Sequence, residues 1–221
     1  MSMLKLFIFK NRILTHPVGL AVVLLFFSLL TIVFASVQAV QIPLNALPED
    51  SARLKSVPVS HFLHAVGGVI FGILGPLQFG RVLAKKYGRV HRVMGRVFVL
   101  AGAALSLSSL TLLWNFPDGA SPLVSAGRLV FGIALGIALI FAMVEIRKRN
   151  ITKHRDWMIR AYAVGIGATP VAIVLLPIFL ITGEPPTGLV SDIAFVGSWA
   201  LCVVIGEYVV RYLRADRADK V

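Results

Sequence analysis

The chain has 221 residues, of which 57% are hydrophobic and 14% are charged, and its mean hydropathy is +0.86. A soluble domain of this size does not need so much apolar surface, so the composition indicates an integral membrane protein. The single cysteine, Cys202, excludes an internal disulfide and any CxxC metal or redox site.

Six apolar stretches are long enough to cross a bilayer as helices, which takes about 20 residues. We predict spans at about residues 17–37, 61–81, 91–113, 123–144, 157–181 and 189–210. Pro170 and Pro177 are expected to kink the fifth span. The first span also resembles a signal peptide cleaved after Ala39, but its apolar stretch is too long for one, so we expect it to be retained. The sequence therefore predicts an all-α, six-helix membrane bundle that forms one domain over residues 1–221.

The positive charges alternate with these spans. Nineteen of the 22 Lys and Arg residues lie in segments 1–16, 81–96, 147–160 and 211–220. Because loops on the cytoplasmic side carry an excess of Lys and Arg, we expect both termini to be cytoplasmic. Topology and contact with anionic lipid headgroups thus explain the net charge of +12, and nucleic-acid binding does not.

One pattern occurs twice, in HAVGGVIFGILG (64–75) and HRVMGRVFVLAG (91–102). The basic segment between the copies makes the two helices cross in opposite directions. At about 100° per residue, the glycines at positions +4 and +11 share a face with the histidine that opens each copy. Each helix is therefore predicted to present a histidine followed by a groove of small residues.

Three segments resemble a bacterial membrane-protein family, catalogued as domain of unknown function 2306. They are GPLQFGRVLAKKYGRVHRVMGR (75–96), HRDWMIRAYAV (154–164) and SWALCVVIGEY (198–208). The resemblance covers about residues 60–210 and implies a multi-pass protein of the bacterial inner membrane. It carries no settled activity.

A weaker similarity concerns the histidine helices. The order HxxxG, Gln at +14, a basic loop and a second HxxxG, as found at His64, Gln78 and His91, resembles two haem-binding helices of the cytochrome b561 group. The resemblance implies b-type haem with His64 and His91 as axial ligands. The chain departs from that group because it lacks four matching histidines.

The histidine positions favour one haem at the cytoplasmic end. A six-coordinate haem takes two axial ligands from different helices, and His91 has a mate there in His154. Span five offers His154 a face of small residues at Ala161, Gly165 and Ala168. The expected cofactor-binding residues, for haem or a quinone, are His91, His154, His64, Gln78, Arg96, Arg160 and Glu207. Arginines at this end would hold acidic groups of the cofactor or a lipid phosphate.

Glu207 has two alternative partners. It either pairs locally with Arg211, or it pairs with Arg160 or His154 and orients a ligand or passes a proton. At the external end, His61 and His64 stand one turn apart, which suits a shared transition-metal ion and excludes a haem sandwich.

A structural interpretation competes with all of these sites. Histidine and arginine at helix ends commonly reach into headgroups, and small residues commonly serve helix packing. Under this interpretation the protein is non-enzymatic and binds a lipid or small solute, or is a subunit of a larger membrane complex. Whether it is an enzyme stays open.

Overall fold

The computed structural model describes residues 19–47, 54–79, 81–116, 121–184 and 186–218. The predicted N-terminal basic segment 1–16, the start of the first span, and parts of the loops at 48–53 and 117–120 lie outside these ranges. So do the side chains of Arg81 and of residues beyond 215.

The described residues form helices and no strand. In chain order the helices are α1 (Gly19–Gln41), α2 (Pro58–Gln78), α3 (Arg81–Lys86), α4 (Gly88–Asn115), α5 (Pro122–Arg147), α6 (Ile151–Gly165), α7 (Thr169–Thr182) and α8 (Gly188–Ala218). With α6 and α7 taken together as one, six helices within these ranges are long and apolar enough to cross a membrane. The predicted fold class is thereby confirmed.

The helix ends follow from local chemistry. Pro58 and Pro122 occupy the first turns of α2 and α5, where a missing N–H costs nothing. The hydroxyl of Ser121 accepts a hydrogen bond from the Val124 N–H at 3.2 Å. Asn150 caps α6 in the same way, because its Oδ1 accepts from the Lys153 N–H at 3.1 Å.

The fifth span is broken rather than kinked. Its helix stops at Gly165 and resumes at Thr169, directly before Pro170. A proline ring clashes with the carbonyl four residues earlier, here that of Ile166, and this carbonyl accepts from the Thr169 N–H at 2.8 Å instead. The helix α7 then continues through Pro177.

The helices pack mainly against their neighbours in the chain. Contacts run from α1 to α2, α2 to α4, α4 to α5 and α5 to α6, and α8 covers α6, α7 and part of α5. Many large apolar side chains remain exposed, for example Phe26 and Ile181, as expected of helices that face lipid. We call the end that carries α3 and residues 148–150 the basic end.

An aromatic cluster fills the middle of the bundle. Phe71 of α2 stacks on Phe98 of α4, with 4.2 Å between ring centroids, and Tyr162 of α6 lies 5.8 Å from Phe71. All three side chains are buried. The cluster joins α2, α4 and α6 and reaches towards their basic ends, since the Tyr162 ring also lies 5.3 Å from that of Phe79.

Candidate functional site at the basic end

Two histidines from different helices lie near each other at the basic end. His91 lies in the first turn of α4 and His154 in the first turn of α6, close enough for a charge on one to act on the other. Nδ1 of His154 lies 2.8 Å from the Ala142 carbonyl oxygen. A carbonyl only accepts hydrogen bonds, so Nδ1 carries a proton, and in the neutral imidazole Nε2 is then the nitrogen with a lone pair.

Two buried nitrogens at this end have no hydrogen-bond partner among the described residues. They are Nδ1 of His91 and Nε2 of Gln78. The Gln78 amide lies against the α4 backbone, since its Oε1 is 3.2 Å from the place that a Cβ on Gly95 would take. Buried polar atoms are rarely left without a partner, so this pair of nitrogens marks a place suited to a ligand.

Glu207 has both of the arginine partners that the sequence suggested. Its Oε2 accepts from Nε of Arg160 at 2.9 Å and lies 2.8 Å from Nη2 of the same residue. Its Oε1 accepts from Nε of Arg211 at 3.2 Å. The third suggested partner, His154, is turned to Ala142 instead. Glu207 therefore connects α8 to α6 at the basic end.

Asp156 forms a second connection that the sequence reasoning missed. Its side chain is fully buried, its Oδ2 accepts from Nε of Arg214 at 2.8 Å, and its Oδ1 lies 3.7 Å from Nη2 of Arg155. Asp156 lies one residue before the predicted fifth span, and the usable signal was a lone carboxylate among the basic residues of segment 147–160, because an ionisable group next to the membrane is costly without a partner. Arg96, in contrast, is exposed on α4.

The other predicted residues lie at the opposite end. His64 donates through Nδ1 to the Ser108 hydroxyl at 3.1 Å, and that hydroxyl donates to the Leu105 carbonyl at 3.2 Å. His61 is 3% exposed, and its Nδ1 has no partner within the described ranges. Across those ranges no three His, Cys, Asp or Glu side chains gather around a common point. The metal site at His61 and His64 stays a prediction.

The small-residue faces are occupied by side chains of neighbouring helices. An added Cβ at Gly102 would lie 2.9 Å from the ring of Phe71, and one at Gly75 would overlap the ring of Tyr162. Gly165 likewise lies under Phe71. These glycines therefore serve helix packing, and the space they open holds aromatic rings.

Comparison with known proteins adds the family. The sequence model described as "Predicted membrane protein (DUF2306)" matches residues 61–210. The chain belongs to this family. The matched region begins at the first residue of the His61 and His64 pair and ends at Val210, so it includes all the candidate histidines discussed above. Neither a curated protein nor a solved structure gives a match.

Proposed function

We propose that this DUF2306 protein is a membrane redox protein that binds one b-type haem at its basic end, with His91 and His154 as axial ligands. The observation that supports this most is the hydrogen bond from His154 to the Ala142 carbonyl. Histidines that bind metals usually donate their other ring N–H to a carbonyl or carboxylate, which fixes the ring and leaves one nitrogen for the metal. A haem held by two imidazoles accepts and releases single electrons.

The residues around the two histidines fit such a group. His91 and His154 stand on α4 and α6, so they would supply the ligand pair from two helices. Arg160, 25% exposed and oriented by Glu207, would face acidic groups of the cofactor, and Gln78 would offer its unpaired amide. The middle of the bundle does not fit a macrocycle, because Phe71, Phe98 and Tyr162 fill it. The proposal therefore includes one haem and not two.

The distribution of Lys and Arg residues supports one orientation of the protein in the bacterial inner membrane. Under the positive-inside rule the basic end would face the cytoplasm, and the proposed site and both termini would lie on that side. Electron exchange with a cytoplasmic donor or a quinone in the membrane would then occur at this end. A quinone headgroup is the second cofactor that we consider, since its carbonyls would accept from the unpaired nitrogens of His91 and Gln78.

An absorption spectrum tests the proposal. Protein made in a haem-replete bacterial host and purified in detergent is expected to show a Soret band, and a sharp α-band after reduction with dithionite. His91→Ala and His154→Ala are each expected to abolish the α-band, because a low-spin haem needs both ligands.

A matched variant removes an imidazole from the opposite end. His64→Gln is expected to retain the wild-type spectrum, provided that all variants elute as monodisperse protein. An α-band that survives both His91→Ala and His154→Ala would refute the ligand assignment. If the protein shows no visible absorbance and copurifies with a quinone, the cofactor assigned to this site would be a quinone and not haem.

The alternative function is a non-enzymatic one, in which the protein binds a lipid or small solute or serves as a subunit of a larger membrane complex. The arginines shared between α6 and α8 support it, since they suit an acidic headgroup. A colourless, metal-free and quinone-free preparation would favour this alternative.

A further inference from the structure

The basic ends of α6 and α8 are joined by two ion pairs, Arg160 with Glu207 and Asp156 with Arg214. Each carboxylate also has a second arginine nearby. We call these residues the arginine frame: Arg155, Arg160, Arg211 and Arg214, with the carboxylates Asp156 and Glu207. A guanidinium held by a carboxylate keeps a defined orientation, so the frame is organised before any ligand arrives.

The frame and its surroundings carry excess positive charge. Within the frame, two carboxylates stand against four guanidinium groups. The wider segments 145–160 and 207–215 contain eight Lys and Arg against three Asp and Glu. The charge balance of this surface is therefore suited to an anion.

Aromatic side chains show the depth of the frame in the membrane. Trp157 stacks on Phe141 with 4.8 Å between centroids, and the Arg160 guanidinium lies 4.8 Å from the centroid of the Trp157 ring. Tryptophan is enriched at the level of the headgroups. Arg211 stands one helical turn beyond Glu207, so it extends further towards the lipid phosphates.

The outermost arginines are exposed, and each has N–H groups beyond the one that binds its carboxylate. The side chains of Arg211 and Arg214 are 78% and 53% exposed. Each contacts a carboxylate through Nε, whereas a guanidinium has five N–H donors. The remaining N–H groups can reach phosphate oxygens.

The same face of α8 is apolar below the arginines. Leu201 and Val204 are exposed, and at about 100° per residue Arg211 lies within about 20° of the direction of Val204. A stripe of apolar side chains that ends in arginines matches the shape of a phospholipid, with acyl chains along the stripe and the phosphate at its end.

We infer that the arginine frame is a binding site for the phosphate group of an anionic phospholipid. The inference rests chiefly on Arg211 and Arg214, which have no part in the proposed haem site, and the two sites share Arg160 and Glu207. The adjoining apolar stripe favours a lipid over free phosphate as the source of the ligand.

Thermal unfolding in mixed micelles tests this inference. The wild-type protein is expected to unfold at a temperature several degrees higher in detergent micelles doped with phosphatidylglycerol than in micelles doped with phosphatidylcholine. Arg211→Gln combined with Arg214→Gln is expected to lose more than half of this difference. The control, Arg147→Gln with Lys153→Gln, removes the same charge from exposed positions outside the frame and is expected to keep it.

Glu207→Gln separates an organised site from simple charge attraction. This variant makes the protein more positive, so charge attraction alone would increase the stabilisation by phosphatidylglycerol. The frame predicts a decrease, because Arg160 and Arg211 lose the carboxylate that orients them. The inference is overturned by an increase in this variant, by equal losses in the two double variants, or by the absence of a phosphatidylglycerol effect. Inorganic phosphate that alone reproduces the effect would also overturn the lipid assignment.

Discussion

The middle of the bundle and its basic end use similar residues for different purposes. In the middle, Gly102 and Gly165 open space that Phe71 fills, and the aromatic rings are buried and stacked. At the basic end, Gly95 lies against the Gln78 amide, and two buried nitrogens there have no partner in the described part of the chain. A glycine on a histidine-bearing face thus allows close helix packing in the middle and forms part of a candidate site at the basic end.

The comparison shows that spacing alone does not identify a cofactor groove. The repeated pattern His, Gly at +4 and Gly at +11 runs in α4 from the basic end into the middle, and in α2 from the opposite end to Gly75, one turn before Gln78. The glycines at +11, Gly75 and Gly102, are covered by aromatic rings. What distinguishes the basic end from the middle is an oriented imidazole, His154, at the same end as the nitrogens of His91 and Gln78 that lack a partner among the described residues.

The largest expected effect tests the packing of the middle. Gly102→Ala is expected to destabilise the protein by about 2 kcal/mol, because its Cβ would lie within 3 Å of Phe71 and Leu139. Alanine is intrinsically the better helix former by about 1 kcal/mol, so a loss of stability would show that crowding prevails. Denaturant unfolding in detergent measures the difference.

A second glycine provides the control. A Cβ on Gly68 would make ordinary contacts, 3.7 Å from Ala35 and 3.9 Å from Leu105. Gly68→Ala is therefore expected to be neutral or to stabilise by up to about 1 kcal/mol. If both alanine variants change the free energy of unfolding in the same direction, the middle of the bundle is not packed as described.

A smaller effect is expected at the ion pairs of the basic end. Asp156→Asn is expected to cost about 1.5 kcal/mol, because it weakens a charged hydrogen bond to Arg214 at a fully buried side chain. Glu145→Gln affects only a long, 3.9 Å contact with the exposed Lys148 and is expected to cost less than about 0.5 kcal/mol. The same unfolding assay compares the two variants. Equal losses of unfolding free energy would contradict the structural importance of Asp156.

The sequence was sufficient for the architecture because hydropathy determines which segments enter the membrane. All six predicted spans overlap helices long and apolar enough to cross it. The predicted charged tail after Val210 differs, since α8 continues to Ala218. There the ion pairs of Arg211 and Arg214 tie the extra turns to Glu207 and Asp156, and such pairing depends on which helices become neighbours.

The site was predictable only in part for the same reason. His91, His154 and Gln78 were selected from their spacing, and the structure brings them to one end of the bundle. The Asp156 to Arg214 pair joins residues 58 positions apart, which no local pattern indicates. The exact place of the break in the fifth span, at residues 166–168, depends on how Thr169 satisfies the carbonyl of Ile166.

The number of haem groups per chain tests the central proposal most directly. Iron analysis together with a pyridine haemochrome assay on purified wild-type protein from a haem-replete host is expected to give one b-type haem per chain. That result would agree with a ligand pair at the basic end and an aromatic cluster in the middle. Two haems per chain would contradict the packed middle, and none would contradict the haem assignment of His91 and His154.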